Sequence, residues 1–344
     1  MPTVANLLNH QCLLAARPQG AIKDSDFKFS SASVAQPGPG QLLVQNRFIS
    51  VDPAMRSWMN DGKSYMEAVS IGEVMRAAGA GYILRSEDPR FQVGDAVTGI
   101  VGVQEFSVLE AKDAVKVDTG AAPLASYLNL LGIPGFTAYF GLLEVGLAKA
   151  GETVLVSGAA GAVGAAVGQI ARIKGCRVVG IAGGPEKCSY LTQTLGFDAA
   201  VDYKSPDARK LLAQACPDGV DVYFDNVGGK ILDMALSRLR MRARVVICGA
   251  VSQYNNTERG EGPRNYMSLL MYRARMEGFV IFDYAPRYAE AQAQLSQWLA
   301  SGELRSQEDV LDGLAAFPSA LRRLFEGGNT GKMLLRLGTD AATT

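Results

Sequence analysis

The sequence predicts an α/β fold, with a doubly wound parallel sheet in the middle of the chain and a barrel-like β domain before it. Three observations carry this. From about Leu124 onward short apolar runs alternate with helix-like segments; a glycine-rich turn, Gly158 to Gly168, follows one of the first of those runs; and residues 1 to about 122 hold short β-like runs broken by turn residues. At about 150 residues per domain, 344 residues make two domains.

The early runs are Gln41 to Val51, Gly79 to Arg85, Ala96 to Val101 and Glu105 to Leu109, punctuated by Pro37-Gly38-Pro39-Gly40, Asp88-Pro89 and Gly94-Asp95. Helical segments around Tyr127 to Val145 lead into Thr153 to Ser157, which is too short for a helix and reads as a buried parallel strand. Helix Gly161 to Lys174, strand Arg177 to Ala182, helix Pro185 to Leu195, strand Ala199 to Val201 and helix Pro206 to Ala215 follow. Strand Val220 to Phe224, helix Lys230 to Leu239 and strand Arg244 to Ile247 continue the alternation. Between Cys248 and Met276 lies a polar, glycine-rich segment, Gln253 to Pro263, and a loop of that length is more often functional than decorative. Glu277 to Asp283 then reads as a last strand, Pro286 to Ala300 as a helix, and Lys332 to Leu337 as a strand returning to the first domain.

Composition excludes several classes. Basic and acidic residues number 34 each, with 20% charged and 48% hydrophobic residues, so neither a disordered tail protein nor a nucleic-acid binder is expected. Apolar stretches end well before the roughly 18 residues a membrane span needs. Met1 to Gly20 has no early positive charge and is interrupted by Asn9, His10 and Gln11, so it does not read as a secretory signal and a cytoplasmic address is expected. Five scattered cysteines with no C-x-x-C pair argue against a disulfide frame or zinc knuckle. The one histidine, His10, leaves no material for a His-rich metal cage or a Ser-His-Asp triad, and no metal is expected.

In the turn after Ser157, Gly161 and Gly164 take the last two places of G-x-G-x-x-G, with Ala159 in the first. A strand before and a helix after give the context in which such a turn sets pyrophosphate oxygens against backbone N–H groups at a helix start. Gly161, Gly164 and Gly168 also share one helix face, which equally suits close packing on a sheet. About 20 residues after Gly161, where an NAD enzyme carries an acid for the ribose 2′-hydroxyl, stand Ala182, Gly183 and Gly184. Lys187 follows within a helical turn. It suits a 2′-phosphate and hence NADP, although a solvated surface lysine is the commoner case.

Val51-Asp52-Pro53, Ile71-Gly72-Glu73-Val74, Pro134 to Tyr139, Ala159 to Gly168, Phe224 to Gly229 and Cys248 to Asn255 together resemble the zinc-free medium-chain dehydrogenase/reductases. Within that family they are most similar to the branch of prostaglandin and leukotriene reductases, curcumin reductase and alkenal double-bond reductases. The resemblance implies a GroES-like β-barrel domain (1–125 and 311–344), a Rossmann NADP-binding domain (126–310), a catalytic cleft between them and a homodimer. It implies NADPH-dependent reduction of the C=C bond of α,β-unsaturated ketones or aldehydes. It also implies cofactor contacts: Gly161, Ala162, Val163 and Gly164 to the pyrophosphate, and Lys187 and Tyr203 to the 2′-phosphate. Asn226, the stretch Cys248, Gly249, Ala250, Val251, Ser252 to Tyr254, then Phe279, Val280, Ile281 and Asn329 are implied for the remainder, with Thr137 toward the nicotinamide. Taken singly, Tyr203 reads equally as a surface aromatic, Asn226 and Asn329 as turn residues, and Phe279 to Ile281 as a buried strand. Two departures stand out. Ile71 occupies the place where zinc-dependent relatives have glycine before His-Glu, with Gly72 in place of the histidine, and Ala54 follows Asp52-Pro53 where the branch often has tyrosine.

Reducing an enone puts negative charge on its carbonyl oxygen, which needs a hydrogen-bond donor there. A phenol suits this, donating directly or through the cofactor ribose hydroxyl, and can supply the proton at the α-carbon. Tyr254 on the long loop is the first candidate and Tyr65 the second; each also reads as an ordinary packing tyrosine. Two other functions fit the same fold and cofactor: an NADPH quinone oxidoreductase, and a non-catalytic NADPH-binding protein.

Overall fold

The computed structural model describes residues 7–338 except 63, 259 and 261. The first six residues of the segment read above for a secretory signal, and Arg259 and Glu261 of the polar loop, therefore lie outside the described residues. Packing divides the chain into two units, Met1–Leu128 with Glu308–Thr344, and Asn129–Gln307. The expected boundaries, 125/126 and 310/311, fall three residues to one side of each division.

In the first unit β1 (Leu8–Leu14) and β2 (Phe27–Ser33) form an antiparallel ribbon. Next come β3 (Gln41–Ser50), β4 (Ala78–Ser86), β5 (Ala96–Ile100), β6 (Phe106–Glu110) and β7 (Val115–Lys116). The second unit holds β8 (Thr153–Ser157), β9 (Arg177–Ala182), β10 (Ala199–Asp202), β11 (Val220–Asp225), β12 (Leu239–Ile247) and β13 (Arg275–Gly278). Finally β14 (Glu308–Asp312) and β15 (Lys332–Arg336) complete the first unit's sheet, ordered β14-β15-β3-β4-β5-β7 with β6 also on β3. The ten-residue β3 divides one edge: Gln41 to Gln45 pair with β6 and Phe48 to Ser50 with β15, so the sheet branches and wraps. Buried Lys332 fastens the returning strand through Nζ bonds to the carbonyls of Val51 and Met333 (2.8 and 2.9 Å) and an ion pair with Asp52 (3.1 Å). Burial pushes its ammonium below the ordinary lysine value, and Asp52 opposes that shift.

The second unit's sheet is wholly parallel, in the order β10-β9-β8-β11-β12-β13. Every residue of β8 and β11 is buried, as expected for apolar runs covered on both faces. The chain leaves β8 toward β9 and β10 on one side and reaches β11 to β13 on the other, so the β8/β11 boundary is the topological switch point. Against it lies the helix Ala162–Ile173, brought close by its glycines. A Cβ on Gly164 would come within 2.4 Å of the Gly158 carbonyl oxygen, and one on Gly168 within 1.9 Å of the Phe197 ring.

Several expectations are corrected. The helical stretch Tyr127 to Val145 divides into a 3-10 segment Leu124–Leu128, a helix Ile133–Phe140 and a wide turn Gly141–Val145; Pro134 fits only a first helical turn, so a helix starts at Ile133. The strand expected over Glu277 to Asp283 lies earlier, at Arg275–Gly278. Phe279 instead turns onto Phe224 and Tyr284, and Ile281 opens a 3-10 segment through Arg287. The polar segment after Cys248 contains short turns at Val251–Gln253 and Arg264–Met267 and a one-turn helix Ser268–Met271. The ribbon strands, β14 and the helix Phe317–Phe325 were not expected.

Replacing Gly168 by alanine should gain about 1 kcal/mol of helix propensity. The 1.9 Å approach to Phe197 should outweigh it, giving a net loss of about 1–2 kcal/mol in urea unfolding. An unchanged or raised midpoint would show that the helix does not rest this closely on the sheet.

Candidate cofactor and catalytic site

Because β8 ends in Ser157 and the chain must turn at once into a helix, Gly158 takes φ +58° and Gly161 caps the helix in an extended conformation. Ala162, Val163 and Gly164 then form its first turn, whose backbone N–H groups have no carbonyl within the helix to bind. A phosphate oxygen fits there because the dipole is positive and no side chain covers the approach at Gly161.

The turn is held by Asp225, which is 1% exposed at the end of β11. Its carboxylate accepts from Ser157 Oγ (2.8 Å), Tyr223 Oη (2.6 Å) and the N–H groups of Val227 and Gly228 (3.0 Å each). Burial, and next the Asp225 charge, push the Tyr223 phenol well above its ordinary pKa, so it stays a donor. Asn226 completes the joint by donating its backbone N–H to Ser157 Oγ (2.9 Å) and Nδ2–H to the Ser157 carbonyl (2.7 Å). Only the resemblance singled out Asn226. Asp225, the residue that orders it, was missed as a site residue, although an acid closing a fully buried strand is the signal for such a hub.

From the end of β12 the stretch Cys248–Tyr254 crosses the same strand ends. The N–H groups of Cys248 and Gly249 donate to the Asp225 carbonyl, that of Val251 to Asn226, and Ser252 gives both its N–H and its hydroxyl to Val227. Desolvation, and next Asp225, push the Cys248 thiol up to about 12, so it is not a nucleophile at neutral pH. Ala250 N–H donates to Tyr254 Oη at 3.2 Å, which curls the phenol back over Gly249. That bond uses the oxygen's lone pair rather than its hydrogen. Asn265 anchors the far end of the loop, bonding Asp233 through its backbone N–H (2.7 Å) and its amide.

Beside β8, strand β9 is followed by Gly183 and Gly184, and Pro185–Ser189 forms a short helix carrying Lys187. The Tyr203 ring lies over Gly183, where a Cβ would meet its Cε1 at 2.9 Å, and Tyr203 N–H donates to the Ala182 carbonyl. The place without an acid in β9 is approached by one from β10: Asp202 Oδ1 accepts from the N–H groups of Gly184 (2.8 Å) and Lys204 (2.9 Å). Asp202 and Lys204 escaped the sequence reading because sheet register, not chain position, brings them here.

Elsewhere in this unit, Thr137 is buried in the helix Ile133–Phe140 with its hydroxyl bonded to the Ile133 carbonyl (2.7 Å). Phe279 and Val280 follow β13 as an irregular link into the 3-10 segment that Ile281 opens. Tyr65, 57% exposed, and buried Asn329, whose amide bonds the Gly331 carbonyl, belong to the first unit.

A family model for the N-terminal domain of oxidoreductase matches residues 10–117, and one described as zinc-binding dehydrogenase matches residues 162–300. The chain is 42% identical over 337 residues to the NADPH-dependent curcumin reductase of Escherichia coli (strain K12), covering 96% of this chain and 98% of that one. To the 2-alkenal reductase (NADP(+)-dependent) of Nicotiana tabacum it is 40% identical over 338 residues, 96% and 98% of the two chains. Among solved structures, CurA from Vibrio vulnificus in complex with NADPH superposes with a TM-score of 0.92 at 41% identity, over 96% of this chain and 99% of that one. The fold is that of an NADP-dependent oxidoreductase. The chain belongs to the medium-chain dehydrogenase/reductase family, in the branch of curcumin, alkenal and prostaglandin reductases.

Zinc, implied by the name of the second model, does not fit these residues. His10 is exposed and bonded to Glu105 (2.6 Å), and among the described residues no three His, Cys, Asp or Glu gather as ligands. NADPH does fit: the bare first-turn N–H groups, the glycine pair after β9 and the lysine beyond it suit its phosphates.

Asp225→Ala should strand four donors in a buried joint, lowering stability by about 3 kcal/mol or more and weakening NADPH binding with it. Chemical unfolding and cofactor titration check both; unchanged values would remove Asp225 from its central place.

Proposed function

We propose that this chain reduces the C=C bond of α,β-unsaturated ketones or aldehydes with NADPH. The observation that carries the reading is a convergence in one unit. First-turn N–H groups after β8, a glycine pair flanked by Lys187 and Tyr203 after β9, and the Tyr254 phenol after β12 all stand at the carboxyl ends of one parallel sheet. Relatives at 42% and 40% identity bear the names curcumin reductase and 2-alkenal reductase, which supports an enone or enal as substrate.

Gly161 to Gly164 would hold the pyrophosphate, Lys187 and Tyr203 the 2′-phosphate, and Asn226 with Cys248–Ser252 the remainder of the dinucleotide, which when bound supplies a hydride. The chain's own task is then electrostatic. Tyr254 Oη donates to the carbonyl oxygen as negative charge grows there, and the Ala250 N–H steadies that phenol through its lone pair. The same hydroxyl is the proton source for the α-carbon, and the phenolate left behind takes its proton back from water. Tyr65 is the second candidate donor, Thr137 and Phe279 to Ile281 are proposed as further cofactor contacts, and Asn329 is a contact that the family resemblance implies. Five free thiols suit a reducing, cytoplasmic address.

Purified protein should oxidise NADPH with a phenyl enone or a small alkenal and yield the saturated carbonyl compound. Turnover of a naphthoquinone alone would favour a quinone oxidoreductase, and NADPH binding without turnover a non-catalytic protein. Tyr254→Phe should lower kcat for the enone at least about tenfold with NADPH affinity nearly unchanged. Equal turnover in the variant would discard Tyr254.

A homodimer through β13 is part of this reading. This strand edges the parallel sheet with all four residues exposed, and Leu270 (68%) and Met271 (62%) are exposed just before it. Antiparallel pairing of two copies about Met276 sets Arg275 of one opposite Glu277 of the other, so the edge is complementary to itself. Leu270→Asp with Met276→Lys should halve the mass found by light scattering. A wild-type monomer, or an unaltered dimer in the variant, would refute this interface.

A further inference from the structure

We propose that Lys204 is a second cation for the 2′-phosphate of the dinucleotide, so that cofactor choice is divided between two lysines reaching the same glycine pair from different strands. The proposal rests on the NADPH reading above and adds to it a residue that neither motif spacing nor the relatives' names assign.

The geometry begins at Gly183. A Cβ built there would lie 3.0 Å from Lys204 Cε and 2.9 Å from Tyr203 Cε1. The lysine stem and the tyrosine ring therefore lie side by side over the bare Gly183 backbone, which only glycine permits. Lys204 is set in this place by its backbone, whose N–H donates to the same Asp202 Oδ1 that takes the Gly184 N–H. One carboxylate oxygen thus orders both the glycine turn and the residue whose stem crosses it.

The charge is available. Lys204 is exposed, and among the described residues its ammonium has no carboxylate within ion-pair distance. The ammonium is one bond beyond Cε, so it sits at the rim of the glycine pair, with Lys187 on the short helix that follows. A phosphate monoester gains a charge-assisted bond from such an ammonium. A ribose 2′-hydroxyl carries no charge and gains little from a cation. A lysine that merely offset the Asp202 charge would affect both kinds of ligand alike, and this separates the two roles experimentally.

The test titrates the full chain with adenosine 2′,5′-bisphosphate and with 5′-AMP by calorimetry. Lys204→Ala should weaken the bisphosphate about five- to tenfold and change 5′-AMP less than about twofold. Lys204→Arg should restore most of the difference. Lys210→Ala, which removes the same charge from an exposed position on the helix Ala208–Ala215, should leave both affinities unchanged. If wild type and Lys204→Ala discriminate equally between the two ligands, or Lys210→Ala has the same effect, the assignment is overturned. A wild type that does not discriminate at all would overturn the NADPH reading itself, and a pair of variants at Lys187 and Lys204 tells these failures apart.

Discussion

The site depends on one buried carboxylate. Asp225 ends β11 where the sheet reverses its order, and its four donors come from β8, β11 and the loop that follows. Without an acceptor there, Ser157 and Tyr223 would bury unpaired hydroxyls and the Val227–Gly228 turn would lose its anchor. With it, the start of the helix Ala162–Ile173, the amide of Asn226 and the Cys248–Tyr254 stretch are fixed relative to one another before any ligand arrives. Such preorganisation limits the ordering cost of binding.

A second consequence is a division of labour among strand ends. The end of β8 offers uncharged N–H groups and helix dipole, which suit a pyrophosphate. The end of β9 offers bare glycine backbone, with cationic and aromatic side chains entering from the helix after it and from β10. After β12 the chain supplies a phenol whose oxygen is steadied by a backbone N–H four residues earlier. In the proposed reading, binding, discrimination and proton supply are thereby separate in sequence and adjacent in the sheet, and none of the residues proposed for them is a histidine.

Much of this was legible in the sequence where burial is complete. Thr153–Ser157 and Arg177–Ala182 have the bounds read from their apolar runs, because the middle of a strand covered on both faces must be apolar. Legibility failed where a strand need not be apolar. Strand β13 is an exposed edge, so the apolar run just beyond it drew the eye to Glu277 to Asp283. The ribbon strand β1 turns the polar Asn9 inward, where it exchanges hydrogen bonds with the Phe106 backbone, and so presented no clean alternation. At the site, the glycine turn could be read because its chemistry is local. Asp202 and Lys204 could not, since parallel register sets Asp202 against Ala182 across about twenty residues of chain. Nor does sequence reveal that Tyr254 is held by Ala250.

Hydrogen exchange on the wild-type chain with and without NADPH tests the central claim most directly. The expected result is slowed exchange at Ala162 to Gly164, at Gly183 to Lys187 and across Cys248 to Tyr254, with little change at β14 and in the helix Phe317–Phe325. Slowed exchange elsewhere with none at the start of the helix after β8 would contradict the account.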